Sequence, residues 1–119
     1  MKKFDFIIIG AGLSGLSLAI EMVKIGILEN KKLLIIDPQN NNDQPDEWSY
    51  WVKEEHSFSQ LAKIRWKKVS VACDYWEKEE KLKNFNFEII NRREFETYVT
   101  RFLKGYENVE ILKVWVVEI

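Results

Sequence analysis

Two kinds of apolar pattern alternate along this chain, and their order predicts a βαβ unit at its start. Phe4 to Ile9 is a run of aromatic and β-branched residues interrupted only by Asp5, and it stops at Gly10. A run of this kind suits a strand buried on both faces of a parallel sheet. Leu16, Ala19, Ile20 and Val23 then recur at helical spacing and give one apolar face that can lie on the sheet. Gly26 stands where the helix should stop, because glycine adopts positive φ cheaply. Leu33-Leu34-Ile35-Ile36 is a second apolar run, closed by Asp37 and Pro38.

The middle of the chain is less regular. Residues 40–47 are polar, include Pro45 and show no period, which predicts a surface loop. Trp48-Ser49-Tyr50-Trp51 follows, either as a packing anchor for that loop or as a wall beside an apolar ligand. Lys68-Val69-Ser70-Val71 alternates and predicts a short strand. Glu77 to Lys81 mixes both signs without an apolar residue, which reads as a solvated turn or hairpin tip. Phe85, Phe87 and Ile89 alternate with Asn86 and Glu88 and predict another strand.

The last third regains a clear period. Asn91-Arg92-Arg93-Glu94 has the form of a capping box, with Asn91 as N-cap and Glu94 at the third helical position. Phe95, Tyr98, Val99, Phe102 and Leu103 follow at helical spacing, and Gly105 ends the helix. Residues 109–119 are rich in β-branched side chains and predict a third parallel strand. A right-handed crossover places it beside the second.

The glycines carry the chemistry. Gly10-Ala11-Gly12-Leu13-Ser14-Gly15 fits G-x-G-x-x-G between a strand and a helix, the setting of a dinucleotide fingerprint. Gly10 serves the tight turn, Gly12 the close approach of backbone to a pyrophosphate, and Gly15 the packing of helix on strand. Free N–H groups at Leu13 and Ser14 and the positive end of the helix dipole would meet the phosphate oxygens. Asp37, 22 residues beyond Gly15, lies where an acid reaches the adenosine ribose hydroxyls. A carboxylate there repels a 2′-phosphate and disfavours NADP. The plainer reading of Asp37-Pro38 is a turn that ends a strand. Ala19 and Gly26 complete the longer spacing G-x-G-x-x-G-x-x-x-A-x₆-G typical of FAD, so the expected ligand is the ADP half of FAD.

Composition narrows the remaining classes. A length of 119 residues allows one modest domain. The predicted fold is α/β, a Rossmann-like FAD/NAD(P)-binding domain with a parallel sheet. Its parts are a βαβ unit over 4–37, an aromatic insertion over 46–90, and a second crossover helix with a third strand over 91–119. Three parallel strands leave an edge and much of both faces uncovered, so the chain reads as an incomplete N-terminal portion of a larger fold. A net charge of −1 supplies no field to gather nucleic acid. The single Cys73 excludes an internal disulfide and a cysteine-rich metal site, and reads as a small semi-buried apolar residue. The single His56 excludes a two-histidine metal site, and no metal is expected. Phe6 to Gly10 is too short to span a membrane and no signal-peptide cleavage site follows, which points to the cytoplasm.

The motifs together resemble the N-terminal part of the lycopene cyclase family of flavoproteins. Trp48-Ser49-Tyr50-Trp51 is similar to that family's T-W-x-F-W stretch, and Trp66 to Val71 to its W-x-x-v-x-v segment. Ile90, Arg92 and Phe95 match its I-x-R-x-x-F helix start. One departure is Asp46-Glu47, where the family usually carries an Arg before the tryptophan motif. The resemblance implies cyclisation of lycopene ends to β-ionone rings, a non-redox isomerisation within carotenoid biosynthesis. It implies FAD acting in its reduced state with NADPH as reductant, and an acidic catalytic motif beyond residue 119. No catalytic residue is therefore expected in this chain. It implies a carotenoid substrate, the remainder of the parent polypeptide as partner, and peripheral contact with the inner membrane. Arg92 becomes a candidate near the pyrophosphate, its plainer role being a surface capping charge. A flavin-dependent monooxygenase, a prenyl-chain reductase, or a nucleotide-binding module without activity shares the same glycine turn and acid.

Overall fold

In a computed structural model of the chain, which describes residues 2–39, 43 and 45–118, the first apolar run forms β1 (Phe6–Ile9) and the glycine turn leads into α1 (Leu13–Lys24). Then come β2 (Leu33–Ile36), β3 (Glu47–Val52), a 3₁₀ turn over Ser59–Leu61, β4 (Ala62–Trp66), β5 (Lys68–Cys73) and β6 (Trp76–Lys81). β7 (Asn86–Asn91), α2 (Arg92–Leu103) and β8 (Val109–Leu112) complete the order. The chain divides into two compact units, residues 1–44 with 96–119, and residues 45–95.

The first unit is built on a parallel sheet in the order β1-β2-β8, so the third strand lies beside the second as the crossover rule requires. The central β2 is the most apolar and most buried strand, with Leu33 and Ile35 fully enclosed. α1 buries Leu16, Ala19, Ile20 and Met22, so Met22 takes the place expected for Val23. After Ile25, Gly26 adopts φ +76° while the Gly26 N–H donates to the Val23 carbonyl and the Ile27 N–H to the Met22 carbonyl. These are the two bonds of a Schellman stop, and they satisfy carbonyls the helix would otherwise leave open. α2 ends before Gly105 through bonds from Gly105 N–H to Phe102 and Tyr106 N–H to Leu103, without a positive φ at that glycine. Ile7 and Ile9 of β1 stay more than half exposed on the bare face of the sheet.

The predicted final strand is shorter than its apolar run. β8 stops at Leu112, whose carbonyl accepts the Asp37 N–H, and residues 113–118 are not strand. The reason lies in the neighbour: β2 ends at Ile36, and Pro38 has no N–H to continue the ladder.

The second unit contains an antiparallel sheet in the order β3-β7-β4 and a separate β5-β6 hairpin. The aromatic cluster is strand β3, with Trp48 and Tyr50 turned inward and Trp51 outward. Trp48 and Phe58 both meet Phe95 edge to face. The stretch predicted as a solvated tip, Glu77–Lys81, is the strand β6, and the tip lies at Asp74-Tyr75. Its side chains support the ladder across one face, through Lys68 with Glu79 and Ser70 with Glu77. Cys73 is exposed rather than semi-buried, opposite Trp76 where the hairpin has no covering layer. Residues 40–42 and 44 of the predicted loop lie outside the described residues, and Glu47 belongs to β3.

β7 carries a polar residue into the interior. Its alternation is real, but Glu88 and Ile90 are the buried members, not Phe87 and Ile89. Glu88 is 1% exposed and receives Arg65 Nε at 2.6 Å and His56 Nε2 at 3.1 Å. The Phe58 N–H approaches His56 Nδ1, which places the ring proton on Nε2, facing the carboxylate. The Tyr50 hydroxyl is buried beside this group without a partner in hydrogen-bond geometry among the described residues. Burial raises the Tyr50 phenol above the ordinary tyrosine range, and the Glu88 carboxylate adds to the effect.

A phenol held neutral by folding gives a defined pH response. The unfolded chain ionises Tyr50 first, so its contribution is intact below about pH 10 and is lost as pH rises further. Tyr50→Phe should therefore flatten the alkaline fall in melting temperature, and near neutrality should change stability by less than about 1 kcal/mol. Melting curves of both chains from pH 8 to 11 check this; parallel curves would remove Tyr50 as the cause.

Candidate nucleotide site

The glycine turn is shaped by two different constraints. Gly10 has φ +101°, a conformation side chains rarely adopt, and its N–H donates to the Ile36 carbonyl at 2.8 Å. This turns the chain sharply from β1 into α1. A Cβ on Gly15 would overlap the Gly10 carbonyl oxygen, so α1 sits against the turn only because that side chain is missing. Gly12, at the N-cap of α1, is the opposite case: a Cβ there would meet nothing within 4 Å. No side chain caps this helix end and no acid occupies its first turn. The N–H groups of Leu13, Ser14 and Gly15 precede the first intrahelical bond, from Leu16 to Gly12, and so look outward for an acceptor.

Asp37 closes the other side of the turn. Its Oδ2 accepts the Ala11 N–H at 2.8 Å and its Oδ1 accepts the Gln39 N–H at 2.6 Å. The second bond forms an Asx turn around Pro38 and helps hold Gln39 in the left-handed region at φ +52°. The acid thus ends the strand in a turn and also fixes the glycine loop from across the sheet. Each carboxylate oxygen retains a lone pair for a further donor.

Ala11, Asp37 and Gln39 line a cleft of about 720 Å³ in the first unit. Val109 and Ile111 of β8 and Leu103 of α2 give it an apolar lining. Thr97, Thr100 and Arg101 line it from α2, Lys104 from just after that helix and Lys113 from just after β8. Thr97, Thr100, Arg101 and Lys104 recur at i, i+3, i+4 and i+7, the polar complement of the helix's apolar face, so their spacing was visible in the sequence. The glycine turn and Asp37 are brought together. Arg92 belongs to the second unit and is not a surface capping charge: it is 2% exposed, with Nε donating to the Pro45 carbonyl at 2.9 Å. The Glu88, His56 and Arg65 group had no local signal in the sequence.

Residues 5–119 match the family model described as lycopene cyclase protein. The chain belongs to the lycopene cyclase family. No curated individual protein matches it. Membership points to a carotenoid cyclase-like function and a carotenoid substrate, in a family generally associated with flavin. This family member has a small parallel sheet and antiparallel sheets in a mixed α/β arrangement. Among the described residues no helix is long and apolar enough to cross a membrane, and no group of side chains is arranged to hold a metal ion.

The residues fit a dinucleotide diphosphate. The open space at Gly12, the outward N–H groups of the first turn and the spare lone pairs of Asp37 match a pyrophosphate followed by a ribose.

Proposed function

We propose that the chain holds the ADP half of FAD and forms the cofactor-binding part of an enzyme that cyclises lycopene ends to β-ionone rings. The observation that carries this reading is the room a Cβ would have over Gly12, beside a loop braced by Asp37, in a lycopene cyclase family member. Gly10 and Gly15 set the turn, and Gly12, Leu13 and Ser14 present N–H groups to the pyrophosphate. Asp37 accepts the ribose hydroxyls, and Arg92 acts from the second unit as a buried brace for the segment at Pro45. Held by these residues, FAD would act in its reduced form, renewed by NADPH, without net electron transfer to product. The cyclisation itself is balanced in protons: one adds to a terminal double bond, the ring closes, and another leaves. An apolar carotenoid places this work at a membrane surface.

Equilibrium dialysis with FAD tests the cofactor assignment. The purified chain should retain FAD with micromolar affinity, and Asp37→Ala should weaken it about tenfold through loss of a charged acceptor. A chain that takes up no FAD overturns the assignment. Ring formation in lycopene-accumulating cells expressing the full reading frame tests the reaction; oxygenated or reduced products in its place would point to another flavoenzyme class.

A further inference from the structure

The cleft lined by Asp37 is also lined along α2. Along α2 it is lined from Glu96 to Leu103, a span of about 10 Å at the helical rise. Its apolar side is Leu103, Val109 and Ile111, while the hydroxyls of Thr97 and Thr100 provide polar groups along α2. A purine has this same division, with flat apolar faces and a polar edge. Arg101 lines the cleft from an exposed position on α2, and none of the ion pairs among the described residues includes it.

Starting from the proposed reading of the glycine turn and Asp37 as the ADP site, we infer that Arg101 stacks its guanidinium on the adenine ring and selects adenine dinucleotides. The order of groups in the ligand fixes the placement. Pyrophosphate lies at the α1 N-terminus and ribose at Asp37, so the next group in the same cleft is the base. A planar, weakly hydrated guanidinium lies flat on a base, and a lysine ammonium does not. Thr97 and Thr100 offer hydroxyls to the purine edge.

The experiment measures binding of FAD, ADP and FMN to the wild-type chain, Arg101→Ala and Arg101→Lys by titration calorimetry. Arg101→Ala should weaken FAD and ADP about tenfold, and Arg101→Lys should not restore the loss. FMN, which lacks adenosine, should bind all three chains equally weakly. An unchanged Arg101→Ala, or full recovery in Arg101→Lys, would sink the stacking role while leaving the ADP site in place. A wild-type chain that binds neither FAD nor ADP overturns both. Arg101 is exposed, so each variant should melt with the wild type.

Discussion

Gly12→Val should leave the chain folded and weaken FAD binding about a hundredfold, whereas Gly15→Val, three residues along, should destabilise the first unit by about 3 kcal/mol. The same substitution meets opposite surroundings. At Gly12 the added methyl groups enter space that the structure leaves open, and the backbone, at φ −79°, already suits a side chain. The helix end survives, but the cradle is filled. Losing two charge-assisted bonds from the first-turn N–H groups corresponds to about 3 kcal/mol, or two decades in affinity. At Gly15 the new Cβ would overlap the Gly10 carbonyl oxygen, with the carbonyl carbon at 3.1 Å and Ile8 Cγ2 at 3.3 Å. Two of the three atoms are backbone and cannot swing away, so α1 has to lift from β1. That opens the packing of Leu16, Ala19 and Ile20 and costs about 3 kcal/mol, near 10 °C in melting temperature. Circular dichroism melts and FAD titration separate the outcomes. Normal FAD affinity in Gly12→Val would show that phosphate does not use this turn, and a wild-type melt in Gly15→Val would refute the packing argument.

The second large effect is expected at Glu88, far in sequence from the glycine turn and Asp37. Glu88→Ala should destabilise the chain by about 3 kcal/mol, because it strips a buried anion from Arg65 and His56. Glu88→Gln should cost roughly half as much, since its amide oxygen still accepts one donor. The comparison that gives this meaning is Glu79, paired with Lys68 on the outside of the hairpin with both side chains about 60% exposed. Glu79→Ala should change stability by less than about 0.5 kcal/mol. Urea unfolding of the three variants decides the point. Equal losses at positions 79 and 88 would mean that the interior group contributes no more than a surface pair.

These two predictions rest on features that differed in their visibility. Gly10 and Gly26 act through local backbone conformation, Gly15 through close packing at the turn, and Asp37 through a carboxylate at the end of the neighbouring strand, so their places follow from spacing between adjacent elements. The parallel order β1-β2-β8 was likewise legible, because continuous apolar runs joined by a helix have few other arrangements. Glu88 was hidden because its partners lie 23 and 32 positions away, and a charged residue in an alternating strand ordinarily marks the solvent face. β6 was hidden for a related reason. A strand exposed on both faces, as β6 is, has no apolar period, and cross-strand pairs such as Lys68 with Glu79 support it instead. β3 was missed because tryptophans stand on both of its faces, and β4 because Ile64 and Trp66 are exposed like the Lys63 and Arg65 between them. The cleft along α2 needed the sheet before the polar stripe of the helix had anything to line.

Asn91 has a consequence for where this chain can be lengthened. It is the last residue of β7, opposite Glu47, and its side-chain oxygen accepts the Glu94 N–H at 3.0 Å as the cap of α2. The next backbone N–H, from Arg92, is taken by the Asp46 carbonyl at 2.8 Å. Strand register and helix phase are therefore set by adjacent residues with no spacer between them. A single inserted residue at this junction would rotate the helix's apolar stripe by about 100° or slip the strand to its opposite face. Labels and linkers belong instead at Asp74-Tyr75, where Tyr75 is 97% exposed and the chain already reverses in open solvent.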